Sequence, residues 1–134
     1  MKKVHFWLGL ITIVLFILSG QFMRATLPEF SGEIDGGRMM YRASHIYLLM
    51  IGAMNLLVGL YYRPFVGLWP PRLQTLGSGL LVLAVPLLMA AFWFEPPDIS
   101  SDRQLTFYGA VAVLASCVVL MLAALLDSEQ RPSD

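Results

Sequence analysis

Charged residues are scarce in this sequence of 134 residues. Asp, Glu, Lys and Arg make up 13% of the chain, and hydrophobic residues make up 57%. A soluble domain has about 25% charged residues, so this chain has about half the usual supply for covering a water-facing surface. The formal net charge is +0, which gives no indication of a nucleic-acid partner. We therefore expect lipid to surround most of the surface.

The sequence also lacks the residue sets that build common catalytic and metal centres. Its single cysteine, Cys117, cannot form an internal disulfide or a CxxC site. It contains no phosphate-binding loop and no nucleophile elbow. The long apolar stretches have no charge in their interiors, where proton pumps and ion-coupled carriers keep functional charges. These absences favour a non-catalytic protein, with no catalytic residue, metal site or cofactor predicted.

Four long apolar stretches are present instead. Each is close to the roughly 20 residues that a helix needs to cross a bilayer. Helices are expected because a lone strand would leave its backbone polar groups unpaired in lipid. The prediction is a single membrane domain, 1–134: an all-α, four-transmembrane-helix bundle with up-down topology. The expected helices cover residues 4–23, 37–62, 73–94 and 105–126, and a polar tail follows at 127–134.

Prolines and small polar residues mark the expected helix ends. Arg63-Pro64 ends the second helix, and Pro70-Pro71 precedes the third. Glu95-Pro96-Pro97 ends the third helix, because proline has no N–H donor and restricts the residue before it. The segment from Ser100 to Asp102 offers N-cap oxygens to the fourth helix.

Lysines and arginines near the helix ends predict the orientation, since cytoplasmic loops are enriched in them. Lys2 and Lys3 flank the first helix, which usually dominates this choice. With the N-terminus inside, five basic residues lie inside and four outside: Lys2, Lys3, Arg63, Arg72 and Arg131 against Arg24, Arg38, Arg42 and Arg103. We therefore predict a multi-pass protein of a bacterial inner membrane, with both termini in the cytoplasm.

Polar residues concentrate at the start of the second helix and the end of the first. Arg38, Arg42 and His45 follow i, i+4, i+7 spacing and share one helix face. Gln21 and Arg24 end the first helix at about the same depth. If these side chains converge, they form a cationic pocket for an anionic lipid headgroup, a carboxylate or a quinone-like headgroup.

Two other interpretations of this region stay open. The arginines can instead extend to water and pair with acidic residues of the loop: Glu29, Glu33 and Asp35. His45 is also a candidate axial ligand for haem. The only other histidine, His5, lies near the opposite membrane surface, so one chain cannot hold a haem between the two.

Small and amide side chains inside the spans predict close helix packing. Asn55 lies within the second span, where a buried amide is expected to hydrogen-bond to another helix. Small residues in three of the spans favour a compact bundle rather than a pore: Gly52, Gly59, Gly77, Ser78, Gly79, Gly109, Ala112, Ala115 and Ser116.

One short segment resembles a known family. Arg42-Ala43-Ser44-His45, at the start of the second of four helices, is similar to the Arg-Ala-His segment of the MAPEG family, small four-helix membrane enzymes of eicosanoid and glutathione metabolism. The segment Arg103–Gly109 is similar to the start of that family's last helix. The resemblance implies a glutathione-dependent transferase that assembles as a trimer. However, Ser44 is an extra residue, and Tyr47 and Met50 replace the family's Asn and Glu, so the family's glutathione site is not transferred to this chain.

The sequence therefore leaves three functional hypotheses. The first is a non-catalytic accessory subunit whose partners are the lipid bilayer and other membrane subunits or further copies of itself. The second is a binding protein for a lipid, quinone or haem that uses the Arg38, Arg42 and His45 face. The third is a MAPEG-like enzyme.

Overall fold

The computed structural model describes residues 1–26, 36–95 and 102–130. These residues form four α-helices and no strand: α1 (Lys2–Thr26), α2 (Gly36–Tyr61), α3 (Pro70–Phe94) and α4 (Gln104–Gln130). At 1.5 Å per residue each helix is about 38 Å long. All four are long and apolar enough to cross a membrane. The predicted all-α class with four such helices is confirmed.

Three helix ends differ from the prediction by three or more residues. α1 ends at Thr26 rather than at residue 23. α3 begins at Pro70 rather than at residue 73, with prolines in its first positions, where the backbone N–H has no acceptor within the helix. α4 continues through Gln130, so residues 127–130 are helical and not part of a polar tail. The reason is tertiary: Asp127 is fully buried, and its carboxylate accepts a hydrogen bond from the backbone N–H of Val66.

The helices pack as two hairpins. α1 packs along α2, α3 packs along α4, and the hairpins meet mainly through α2 and α3. The central hydrophobic cluster follows this arrangement, since α3 supplies most of it and α2 and α4 cover α3 on two sides. Its buried members include Leu48 and Ile51 of α2, Leu81, Val85, Leu88 and Phe92 of α3, and Ala112 and Val113 of α4.

Glycines set the close approach within each hairpin. A Cβ atom on Gly59 would lie 2.5 Å from the backbone N of Phe6, so α1 and α2 are nearly in backbone contact there. A Cβ on Gly77 would meet the Leu120 side chain at 2.7 Å. Close packing through these glycines is confirmed. It is wrong for Gly79, which faces outward with no atom within 4 Å of an added Cβ.

The outer surface of all four helices is apolar. Large side chains such as Trp7, Ile46, Leu83 and Leu114 are more than half exposed. Soluble monomers rarely expose contiguous apolar patches larger than a few hundred Å². A surface of this kind is stable only next to an apolar environment.

Candidate functional site

A histidine–amide pair lies buried between the start of α1 and the end of α2. His5 Nδ1 is 2.8 Å from Asn55 Oδ1, and both residues are fully buried. Asn55 Nδ2 donates to the Ile51 carbonyl at 3.0 Å, so the amide oxygen faces His5 and the imidazole proton is on Nδ1. His5 Nε2 is buried without a hydrogen-bond partner among the described residues. The interhelical partner that the sequence predicted for Asn55 is therefore His5.

A second histidine contact joins the same two helices near their other ends. The Ser19 hydroxyl donates to the Phe16 carbonyl at 2.8 Å. Its oxygen therefore accepts the hydrogen bond from His45 Nδ1, 2.9 Å away. The Phe16 ring stacks on the imidazole, with centroids 4.0 Å apart and planes inclined by 19°. His45 thus faces α1, and the lone pair of its imidazole is on Nε2.

Three other members of the predicted cationic pocket do not join this contact. Gln21, Arg24 and Arg42 have exposed side chains. Arg38 belongs to α2, but its side chain lies outside the described residues, as does the whole loop 27–35 with its acidic residues. Because that loop would roof the pocket, the anion-binding hypothesis stays a prediction.

Among the described arginines, Arg103 is the one whose side chain is largely buried. From the sequence it was used for the orientation and as part of the segment that resembles the MAPEG family. Its guanidinium donates to Met40 Sδ at 3.2 Å and to the Ser44 hydroxyl. Its Nε lies 3.5 Å from Glu95 Oε2, and its side chain is 18% exposed. Arg103 therefore ties the start of α4 to α2. The sequence did contain a signal for this contact. Arg103 directly precedes the fourth apolar span, and the acidic Glu95 lies at the end of the third.

Glu95 in turn caps α4. Its carboxylate accepts hydrogen bonds from the backbone N–H groups of Leu105 and Thr106 and from the Thr106 hydroxyl. A carboxylate is favoured there because the first N–H groups of a helix have no internal acceptors. The sequence had predicted the cap within Ser100–Asp102. Asp102 is exposed, and the two serines lie outside the described residues.

At the other end of the molecule, two side chains hold the α2–α3 connection. Gln74 accepts from the Phe65 N–H at 3.1 Å and donates to the Arg63 carbonyl at 2.6 Å. Asp127 accepts from the Val66 N–H at 2.9 Å, and its other oxygen is 3.8 Å from the Arg63 guanidinium. The connection therefore has a fixed path across the ends of α3 and α4.

A cavity of about 450 Å³ lies beside this connection, among α2, α3 and α4. Its walls are mostly apolar and include Leu57 and Leu120, with Tyr61 and Arg63 as polar groups. Ser78 also lines the cavity, and its buried hydroxyl has no partner within the described part of the chain. This combination of apolar walls and few polar groups is typical of small-molecule sites.

A groove of about 410 Å³ lies on the α1–α2 hairpin, lined by Lys2, Lys3, Phe6, Trp7, Gly59 and Leu60. Over the described ranges, no group of three or more His, Cys, Asp or Glu side chains is placed to hold a metal ion.

Comparison of the chain with models of protein families, with curated proteins and with solved structures finds no match.

Proposed function

We propose that this chain is a non-catalytic component of a membrane, crossing it four times with up-down topology. One observation supports this proposal above all: the outer surface is apolar, while polar side chains within the helices face neighbouring helices. In lipid, interhelical hydrogen bonds and close packing of small residues hold helices together. An apolar outer surface with polar contacts between helices is therefore suited to a lipid bilayer.

The polar groups inside the helices support a structural role. His5 pairs with Asn55, and His45 pairs with Ser19. The buried Ser116 hydroxyl donates to the Gly77 carbonyl at 2.7 Å, which joins α4 to α3. Each of these side chains therefore makes a hydrogen bond that joins two helices. We propose that the chain acts as an accessory subunit, next to other membrane subunits or further copies of itself.

The proposed orientation places both termini in the cytoplasm of a bacterium, with the chain in the inner membrane. The start of α1 lies beside the end of α2, which brings Lys2 and Lys3 to the same end of the hairpin as Arg63. Basic residues at one end are expected on the cytoplasmic side.

Cysteine labelling tests this orientation. Cys117 is exposed, so it is first replaced by alanine. Single cysteines are then placed at Leu68 and at Asp102, which are exposed near opposite ends of the helices. Gly67 is avoided because its φ of 96° favours glycine.

In intact bacterial cells, an impermeant maleimide is expected to label residue 102 and to reach residue 68 only after lysis. The reverse pattern would contradict the orientation. Labelling of both positions in intact cells would indicate fewer spans or mixed insertion, and would contradict a four-span topology with a single orientation.

The cavity among α2, α3 and α4 favours a second candidate function, binding of a quinone or another amphipathic ligand. Its volume of about 450 Å³ is in the range of small-molecule sites, about 300–1,000 Å³. The unpartnered Ser78 hydroxyl can donate to a carbonyl oxygen, and Arg63 lies at the polar end.

Filling the cavity tests this candidate. Leu120→Trp places a large ring in it, whereas Leu114→Trp, also on α4, faces outward from a position that is 67% exposed. Mass spectrometry of protein purified in mild detergent should show loss of a bound quinone or lipid from the Leu120 variant alone. Equal amounts of bound ligand in both variants would show that the cavity is not the binding site.

Haem binding at His45 and glutathione-dependent catalysis remain hypotheses from the sequence. His45 Nε2 has the lone pair that a haem iron would require, since Nδ1 donates to Ser19. An absorption spectrum tests the haem hypothesis through its Soret band. A titration with glutathione tests the enzyme hypothesis.

A further inference from the structure

The groove on the α1–α2 hairpin combines a charged end with an apolar bed. Lys2 and Lys3 lie at one end, and Phe6, Trp7 and Leu60 form the apolar part. Gly59 completes the lining. Its lack of a side chain also lets α1 and α2 touch, since an added Cβ would lie 2.5 Å from the Phe6 backbone N. The two helices therefore form a shallow trough rather than a gap.

The charge in this groove is unbalanced within the described residues. Lys2 and Lys3 are the only lysines of the sequence, and both are exposed. None of the described residues that line the groove is acidic. The ion pairs of the described ranges involve Arg63 and Arg103, not the lysines. The two lysine ammonium groups thus have no acidic partner among the described residues, and they lie beside exposed apolar side chains.

We infer that this groove binds an anionic phospholipid, with the phosphate at Lys2 and Lys3 and an acyl chain along Trp7 and Leu60. The inference rests on the proposed function, since a phospholipid meets this surface only if the helices lie in a membrane. Basic residues at the cytoplasmic end of a helix attract anionic headgroups. A free anion would not use the apolar part, where Trp7 and Leu60 are 57% and 51% exposed.

A second tryptophan provides a matched control. Trp69 is 60% exposed, and the Arg72 guanidinium lies 5.7 Å from its ring. Trp69 precedes α3, which begins at the same end of the molecule as α1. It does not line the groove. Trp7 and Trp69 are therefore similarly exposed, and each lies near a basic side chain. Of the two, Trp7 is the one that lines the groove.

Fluorescence quenching by brominated lipid compares the two positions directly. The chain has three tryptophans, so two single-tryptophan variants are made: Trp69→Phe with Trp93→Phe, and Trp7→Phe with Trp93→Phe. Each is reconstituted in vesicles of equal phosphatidylglycerol and phosphatidylcholine, with bromine on the acyl chains of one lipid or of the other. Trp7 should be quenched about twofold more by the brominated phosphatidylglycerol, and Trp69 about equally by both.

Lysine variants then test the cause of the preference. Lys2→Gln with Lys3→Gln should remove the preference at Trp7, Lys2→Arg with Lys3→Arg should keep it, and Arg72→Gln should leave it unchanged. Because the lysines are exposed, these changes leave the helix packing intact.

Four outcomes would overturn the inference. Equal quenching of Trp7 by both brominated lipids, or a preference that survives the glutamine variants, shows that there is no anionic site. Quenching of Trp69 but not of Trp7 shows that another protein segment covers the groove. Quenching of neither tryptophan contradicts membrane insertion itself, so failure of the proposed function is distinguishable from failure of the site.

Discussion

His5 and Asn55, which are 50 residues apart in sequence, face each other across the α1–α2 interface, and the imidazole N–H donates to the amide oxygen 2.8 Å away. Toward the other end of the same interface, His45 donates to the Ser19 hydroxyl at 2.9 Å. Both histidines of the sequence thus join α1 to α2. Two separated polar contacts fix the register of these helices, because a slip by one turn would break both.

Replacing Asn55 tests the first contact. Asn55→Leu removes the acceptor, which leaves both ring nitrogens of the buried His5 without partners. We expect the free energy of unfolding in detergent to fall by about 0.6–2 kcal/mol, the range for hydrogen bonds between membrane helices. The double variant His5→Phe with Asn55→Leu should lose less than the sum of the single changes, because no buried donor remains. Additive losses would contradict a direct interaction.

The glycines give a prediction with an internal control. Gly59→Ala places a methyl group 2.5 Å from the Phe6 backbone N, so α1 must move away from α2. Gly79→Ala meets no atom within 4 Å. Alanine favours a helix over glycine by about 1 kcal/mol. Thermal unfolding in detergent should therefore occur at a lower temperature for Gly59→Ala, and at an equal or higher temperature for Gly79→Ala. A similar effect at both positions would show that the hairpin is loosely packed.

Of two acidic residues near the start of α4, Glu95 should contribute more to stability than Asp102. Glu95→Ala removes the acceptor for the Leu105 and Thr106 N–H groups and leaves the Arg103 guanidinium without its anion. We expect a loss of about 1–3 kcal/mol in stability, the cost of unsatisfied buried groups. Hydrogen exchange should be faster in the first turn of α4. Asp102→Ala, at an exposed position, should change stability by less than about 0.5 kcal/mol.

Asp127 should control the mobility of the α2–α3 connection. Asp127→Ala removes the acceptor for the Val66 N–H and the carboxylate near Arg63. Hydrogen exchange at Val66 should become faster, with less change at Phe65, whose N–H is held by Gln74. Ser128→Ala is the control, because its exposed hydroxyl bonds to the Leu125 carbonyl of its own helix. Unchanged exchange at Val66 would show that Asp127 does not hold the connection.

The number and rough extent of the helices could be predicted from the sequence, because length and apolar composition are local properties. Pro64 and Pro97 lie just beyond the helix ends, as expected from the backbone restrictions of proline. The end of α4 was missed, because Asp127 reads as the start of a polar tail. Only the folded chain shows that its carboxylate meets Val66.

The candidate sites were less predictable, because they also depend on contacts between residues that are distant in sequence. A helical spacing places Arg38, Arg42 and His45 on one face, but it does not specify what that face meets. Arg42 is exposed, and His45 meets Ser19 on α1. The contact of Arg103 with Ser44, which is distant from it in sequence, was not predicted. Nothing in the sequence indicated a groove between Lys3 and Leu60.

The sequence by itself determined that four helices form and that their surfaces suit an apolar environment. Both properties depend on the average character of about 20 neighbouring residues. The tertiary structure decided which polar atoms meet, because a hydrogen bond requires two groups within about 3 Å of each other. That distance depends on helix register and rotation, which glycine contacts such as Gly59 against Phe6 set between residues far apart in the chain.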